Sequence, residues 1–113
     1  GAEAADAELR QAADAVNQAW SDAGRDGAPR LAGLGYFALG ESGAQDAQRY
    51  LGDYYAWLGE EMAGYIVGSA AKDAETVQGY IQAFTEVGCD ELVLFPCNGD
   101  PAQVDLLADA AGL

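Results

Sequence analysis

The sequence predicts an α/β fold with parallel strands, and two stretches carry that prediction. One is Glu91-Leu92-Val93-Leu94-Phe95, which is apolar on both faces and has a helical pattern before and after it. The other is Leu31-Ala32-Gly33-Leu34-Gly35-Tyr36-Phe37-Ala38-Leu39, which has no helical period and is also apolar on both faces. A strand of this kind needs cover on both faces, which helices flanking a parallel sheet provide and hairpins rarely do. Sites in such folds gather beyond the carboxyl ends of the strands, here Pro96, Cys97 and Asn98.

Each element follows from local signals. Residues 2–23 are Ala-rich, carry Leu9, Ala12, Val16, Ala19 and Trp20 at helical spacing, and stop at Gly24, which predicts one amphipathic helix. Gly27 and Pro29 make residues 25–30 a turn, after which comes the first strand, whose two glycines point to a neighbour packed close against it. Gly40-Glu41-Ser42-Gly43 leaves that strand. Residues 46–58 read as a helix crowded with Tyr50, Leu51, Tyr54, Tyr55, Trp57 and Leu58, ended by Gly59, and residues 62–67 as a short helical segment. Asp73 caps the next helix, with Val77, Ile81, Phe84 and Val87 on its apolar side and Gly88 as its stop. After the second strand, Asp100 is the N-cap, Pro101 the first helical residue and Gln103 the third member of a capping box, with Val104, Leu107, Ala108 and Ala111 as the buried stripe. Two strands alone make no stable covered sheet, so further strands are expected from elsewhere.

Composition narrows the function classes. The 113 residues hold 19 acidic and 5 basic side chains, no His, and a formal charge of -14 spread along the chain. Nucleic acid and anionic membranes are disfavoured partners. No apolar run approaches the ~20 residues that cross a bilayer, and the first residues lack a basic segment leading into an apolar one, so a soluble cytoplasmic protein is expected. Cys89 and Cys97 flank one strand and at ~3.3 Å per residue should lie ~26 Å apart, beyond disulfide reach. Free thiols are expected, and two thiols without His make no zinc site.

The order of these pieces resembles the C-terminal portion of bacterial-luciferase-like flavin-dependent monooxygenases, including their deazaflavin-dependent relatives. The resemblance rests on residues 23–30 before a strand, on Tyr54-Tyr55 in a helix ending near Gly59, on Ile66-Val67-Gly68, and on the closing run from Val77 through Gly88-Cys89-Asp90-Glu91-Leu92-Val93-Leu94, Pro96 and Asp100-Pro101-Ala102-Gln103-Val104. It implies the C-terminal part of a (β/α)8 TIM barrel, a fold of ~250 residues, of which this chain would supply about two parallel strands with flanking helices and be incomplete in isolation. It further implies an oxidoreductase using FMN or coenzyme F420, held mainly by residues outside this chain. The expected partners are the remainder of the barrel, as upstream sequence or a separate chain, a small organic substrate, and another copy of the chain. The alternative is a small acidic, non-catalytic interaction domain that assembles through its sheet edges.

No residue is assigned as catalytic or as a metal ligand. Cys97, Asn98 and Glu41 are the candidate pocket-wall residues because they follow the two strands. Asn98-Gly99 has a simpler reading as a turn, since both residues tolerate positive φ, and Gly40-Glu41-Ser42-Gly43 reads better as a loop than as a phosphate cradle, because Glu41 repels phosphate. Glu60-Glu61 and Asp90-Glu91 read as solvated surface. Tyr50, Tyr54, Tyr55, Trp57 and Tyr65 read as core aromatics rather than a lid over a flavin ring. Arg25 and Arg30 are expected to pair with local carboxylates.

Overall fold

The computed structural model describes residues 2–113, with side chains from Asp6 onward. Helix α1 (Ala2–Asp22) leads to strand β1 (Ala32–Phe37), then α2 (Gly43–Tyr54), a 3₁₀ turn (Ala56–Leu58), α3 (Glu60–Ser69), α4 (Ala74–Glu86), β2 (Glu91–Pro96) and α5 (Ala102–Ala111). This is the element order the sequence predicts. The residue 46–58 helix is the one that differs in shape: it starts earlier, at Gly43, and breaks after Tyr54.

The strands pair in parallel, from Ala32 opposite Glu91 to Phe37 opposite Pro96. Around this ladder lie two small cores. On one face Phe37 and Leu39 meet Ala71, Val77 and Ala110, with Tyr80, Leu94 and Leu107 against them, so α4 and α5 cover that side. On the other face Ala38 and Cys97 meet Ala47, Leu51 and Ala70, flanked by Tyr36, Tyr55, Ile66 and Val67. There α2 and α3 roof only the carboxyl end of the sheet. Below that roof Leu34 is 60% exposed, Phe95 45% and Val93 36%.

The expectation of strands covered on both faces is therefore half wrong. The apolar residues are present, but among the described residues nothing lies over the lower half of one face. The edges are equally unfinished. Among the described residues, β1 carries on its outer edge a single parallel bridge, in which the Ala38 amide donates to the Ala71 carbonyl (2.9 Å) and the Ala71 amide to the Tyr36 carbonyl (2.8 Å), while β2 pairs only with β1. A compact monomer of 11.7 kDa exposes about 5,900 Å², whereas this chain exposes 7481 Å². Its radius of gyration, 15.7 Å, likewise exceeds the ~13 Å of a compact chain of this length.

Helix α1 accounts for part of that excess. Its expected stripe is not buried: Ala12, Val16 and Ala19 are exposed and Leu9 and Trp20 half-buried, while Ala13, outside that stripe, is buried. Trp20 donates its indole N–H to the Asp26 carbonyl (3.1 Å), and the Arg25 guanidinium stacks 3.8 Å from the Trp20 ring centre. Arg25 thus packs on an aromatic face rather than pairing with a carboxylate. Arg30 does pair, with Glu91 across the ladder at 2.9 Å, and Asp90 accepts from the Leu31 amide at 2.8 Å. Asp90 and Glu91 are accordingly not idle surface charges, since together they pin the start of β1 to the start of β2.

Three other local expectations are met. Asp73 caps α4 by accepting from the Thr76 amide at 2.7 Å, and Gly24 and Gly88 take positive φ at the ends of α1 and α4. At α5 the start falls one residue later than expected: Pro101 is the N-cap rather than the first helical residue, and Asp100 ahead of it accepts from the Ala102 amide at 2.9 Å. The stripe of α5 is rotated from expectation, however: Ala110 is buried and Val104 is 63% exposed. The close neighbour anticipated by the β1 glycines is Phe84, whose ring occupies the space a Cβ at Gly33 would need.

Gly43 is the tightest backbone approach, because a Cβ there would strike the Ala38 carbonyl oxygen, which cannot swing aside. We expect Gly43→Ala to lower stability by about 1–3 kcal/mol in urea unfolding, as overpacking does. Gly79→Ala, in the interior of α4 with nothing near its absent Cβ, should instead gain roughly 0.5–1 kcal/mol. Equal effects at the two positions would contradict the packing described.

Candidate functional site

The carboxyl ends of β1 and β2 are joined by side chains rather than by sheet bonds alone. Asp46, in the first turn of α2, is buried and accepts three hydrogen bonds: from Ser42 Oγ at 2.8 Å, from Arg49 Nη2 at 2.9 Å and from Asn98 Nδ2 at 2.8 Å. A carboxylate so surrounded is stabilised in its charged form. The Asn98 amide first, then the Ser42 hydroxyl and the Arg49 guanidinium, hold the Asp46 carboxyl below its usual range against the opposing effect of burial.

Asn98 faces both ways. Its Nδ2 donates to Asp46, and its Oδ1 accepts from the Asp100 amide at 2.9 Å, closing the turn into α5. The turn reading holds, but not through positive φ, which neither Asn98 nor Gly99 adopts. The turn is made by the Asn side chain. Gln103, expected to complete a capping box, does something else: its Oε1 accepts from the Leu39 amide (3.0 Å) and its Nε2 donates to the Leu39 carbonyl (2.8 Å). That bidentate pair satisfies the backbone of the β1 exit loop inside the protein, where leaving either group bare would cost about 1–3 kcal/mol.

A cleft of about 710 Å³ opens beside this network, lined by Arg49, Tyr50, Asp53, Tyr54, Pro96, Cys97, Asn98 and Gly99. Two of the three pocket-wall candidates, Cys97 and Asn98, are thus brought together. Glu41 is exposed on its loop and is not among the lining residues. Cys97 and Cys89 are both free, and burial pushes the Cys97 thiol up, so it lines the cleft as a neutral group.

The aromatic residues of this region are not core. Tyr50, Tyr54, Trp57 and Tyr65 are exposed, contrary to expectation, and Tyr55 is half-buried. Tyr50 and Tyr54 stack in parallel (9° between planes, centroids 6.4 Å apart), and Tyr54 meets Tyr55 edge-on at 4.9 Å. Tyr55 shares a hydrogen bond with Tyr36 across 2.6 Å, and the Tyr36 ring lies 6.1 Å from Phe95 on the open sheet face. Ser42 and Arg49, at i−4 and i+3 from Asp46, could have been read as helix-surface partners of that carboxylate. The links from Asp46 to Asn98 and from Gln103 to Leu39 had no such signal, because they span 52 and 64 residues.

Loss of stability in acid tests the state of Asp46. A carboxyl with a depressed folded-state pKa contributes stability above its unfolded value of about 3.9, and that contribution is lost as pH falls through the lower folded value. Between about pH 5 and pH 2 the native protein should lose more stability than Asp46→Asn, with Asp73 contributing equally to both. Identical pH slopes in urea titrations would show that the fold does not favour ionised Asp46.

Among the described residues no helix is long and apolar enough to cross a membrane, and no group of three or more His, Cys, Asp or Glu side chains could hold a metal ion. Compared with known protein families, curated proteins and solved structures, the chain matches none.

Proposed function

We propose that this chain forms two adjacent strands and part of the pocket wall of a luciferase-like, flavin- or deazaflavin-dependent oxidoreductase built on a (β/α)8 barrel. The observation that carries the reading is the asymmetry of the parallel sheet. Helices α4 and α5 cover one face, while on the other α2 and α3 roof only the strand ends and leave Leu34, Val93 and Phe95 uncovered; among the described residues β2 is unpaired on its outer side. Barrel strands have this arrangement, with helices outside, apolar side chains inward and both edges paired to neighbours. The excess surface of the chain supports the same reading.

The residues present suit one part of a flavin better than another. In a closed barrel Leu34, Val93 and Phe95 would pack in the interior, so a flavin ring would meet this chain at the strand-end cleft, where Tyr50, Tyr54 and Cys97 offer contact and Arg49 is the one cation, too little to hold a phosphate alone. The phosphate would fall to the remainder of the barrel. FMN or coenzyme F420 would supply the redox chemistry; this chain would pack against the ring, exclude water from it and hold the strand-end loops in place through Asp46, Asn98 and Gln103. Alone, the chain would not turn over substrate.

Mass spectrometry and size exclusion of the protein purified from its source test the proposal, with absorbance and fluorescence read for a bound cofactor. The expected result is a polypeptide heavier than 11.7 kDa, or a co-eluting chain carrying the other strands, with FMN or F420 bound. A folded 11.7 kDa monomer indifferent to both cofactors would overturn it and favour a small acidic interaction domain.

A further inference from the structure

We propose that the groove between α1 and the outer side of α3 binds a basic amphipathic helix of another protein. None of its lining residues belongs to the strand-end cleft or to the open sheet face, so the inference does not rest on the oxidoreductase reading.

Helix α3 is apolar on two sides. Its inner side carries buried Ala63 and half-buried Ile66 and Val67, the last two against the core of Leu51 and Cys97. Its outer side carries Met62 and Tyr65, which continue the line of Leu58 from the preceding 3₁₀ turn at i, i+4 and i+7, and all three are exposed. Trp57, next to Leu58, is 77% exposed. A helix with two apolar sides has more to bury than the one core beneath it supplies. Together with Glu8 of α1 and Glu61, the three outer residues line a groove of about 660 Å³. Trp, Tyr and Met are also the residue types that gather at the centres of protein interfaces, where Trp and Tyr carry much of the binding energy.

The charge in the groove comes from carboxylates alone. All five basic side chains of the chain are engaged elsewhere: Arg10 with Glu86, Arg30 with Glu91, Arg49 with Asp46, Arg25 on the Trp20 ring, and Lys72 on the Val67 and Ala70 carbonyls. Among the described residues neither Glu8 nor Glu61 pairs with a cation. The complementary charge therefore comes from outside the chain, and a second copy, with its own charge of -14, brings the wrong sign. The walls favour a helix over a strand. Their backbone groups are already bonded within α1 and α3, leaving none to pair with an extended peptide, whereas a helix arrives with its own backbone satisfied. Its apolar stripe would lie on Leu58, Met62 and Tyr65, and Lys or Arg on its flanks would meet Glu8 and Glu61.

The test is calorimetric titration of the protein with a synthetic Leu/Lys helix of about 15 residues, its Leu at i, i+3, i+4 and i+7. Two comparison peptides separate pattern from charge: an isomer with the same Leu scattered round the helix, and a peptide with Glu in place of every Lys. The patterned basic peptide should bind, and both comparison peptides should bind at least about tenfold more weakly. Met62→Ser and Tyr65→Ser should each weaken the patterned peptide about tenfold, the scale of one large apolar side chain left without cover. Glu8→Gln combined with Glu61→Gln should weaken it about fivefold and flatten its dependence on salt. Asp105→Asn combined with Asp109→Asn, the same charge change on α5, should leave affinity unchanged. Every substituted side chain is exposed, and melting temperatures check that the variants stay folded. Equal binding of either comparison peptide, unchanged affinity in Met62→Ser and Tyr65→Ser, or no binding at all would each overturn the proposal. A dimer in size exclusion that Met62→Ser and Tyr65→Ser dissociate would overturn it too, by making a second copy the occupant.

Discussion

The parallel ladder between β1 and β2 is the interaction on which the rest of this chain depends. It joins residues about 60 positions apart, and the intervening helices are held in place by what they pack against on its two faces. Parallel pairing brings a requirement that antiparallel pairing does not, because both faces of such strands are apolar and each needs cover. Here α4 and α5 cover one face, with Leu92 and Leu94 half-buried on it. α2 and α3 satisfy the other only near the strand ends, leaving Leu34, Val93 and Phe95 in solvent.

That imbalance explains where the polar chemistry sits. Residues leaving β1 and β2 at their carboxyl ends must turn into helices within a few positions, and their backbone groups need partners where regular structure stops. Gln103 answers this for Leu39, Asn98 for Asp100, and ionised Asp46 draws Ser42, Arg49 and Asn98 into one cluster. The cleft lined by Cys97 and Asn98 is a consequence of these links. So is the position of Tyr55, which follows the last residue of α2 and is set against Tyr36 by the way that helix packs on Ala38 and Cys97.

Elements with strong local signals were legible in the sequence. Asp73 announces its helix by side-chain capping, Gly24 and Gly88 end theirs by taking positive φ, and apolar runs locate both strands. Apolar spacing alone, by contrast, could not say whether a face was covered. Val16 on α1, Val104 on α5 and the tyrosines of α2 all have the pattern of buried residues and are exposed, because burial depends on which elements meet them rather than on their own period. Gln103 is the clearest case of local reasoning overridden by tertiary structure. Its position fits a capping box, but a buried backbone 64 residues away makes the stronger claim on its amide.

The oxidoreductase reading has one premise, that the open sheet face and the free edge of β2 are surfaces awaiting cover. Amide hydrogen exchange on the 113-residue chain at low concentration measures that premise most directly. In a parallel pair every second amide of a strand points to its partner and the others point away. Across Glu91–Pro96 the amides facing β1 should be protected, and those facing the outer edge should exchange at nearly the rate of unstructured peptide. Uniform protection along β2 would contradict the unfinished sheet, and with it the claim that this chain is built to be completed by further strands.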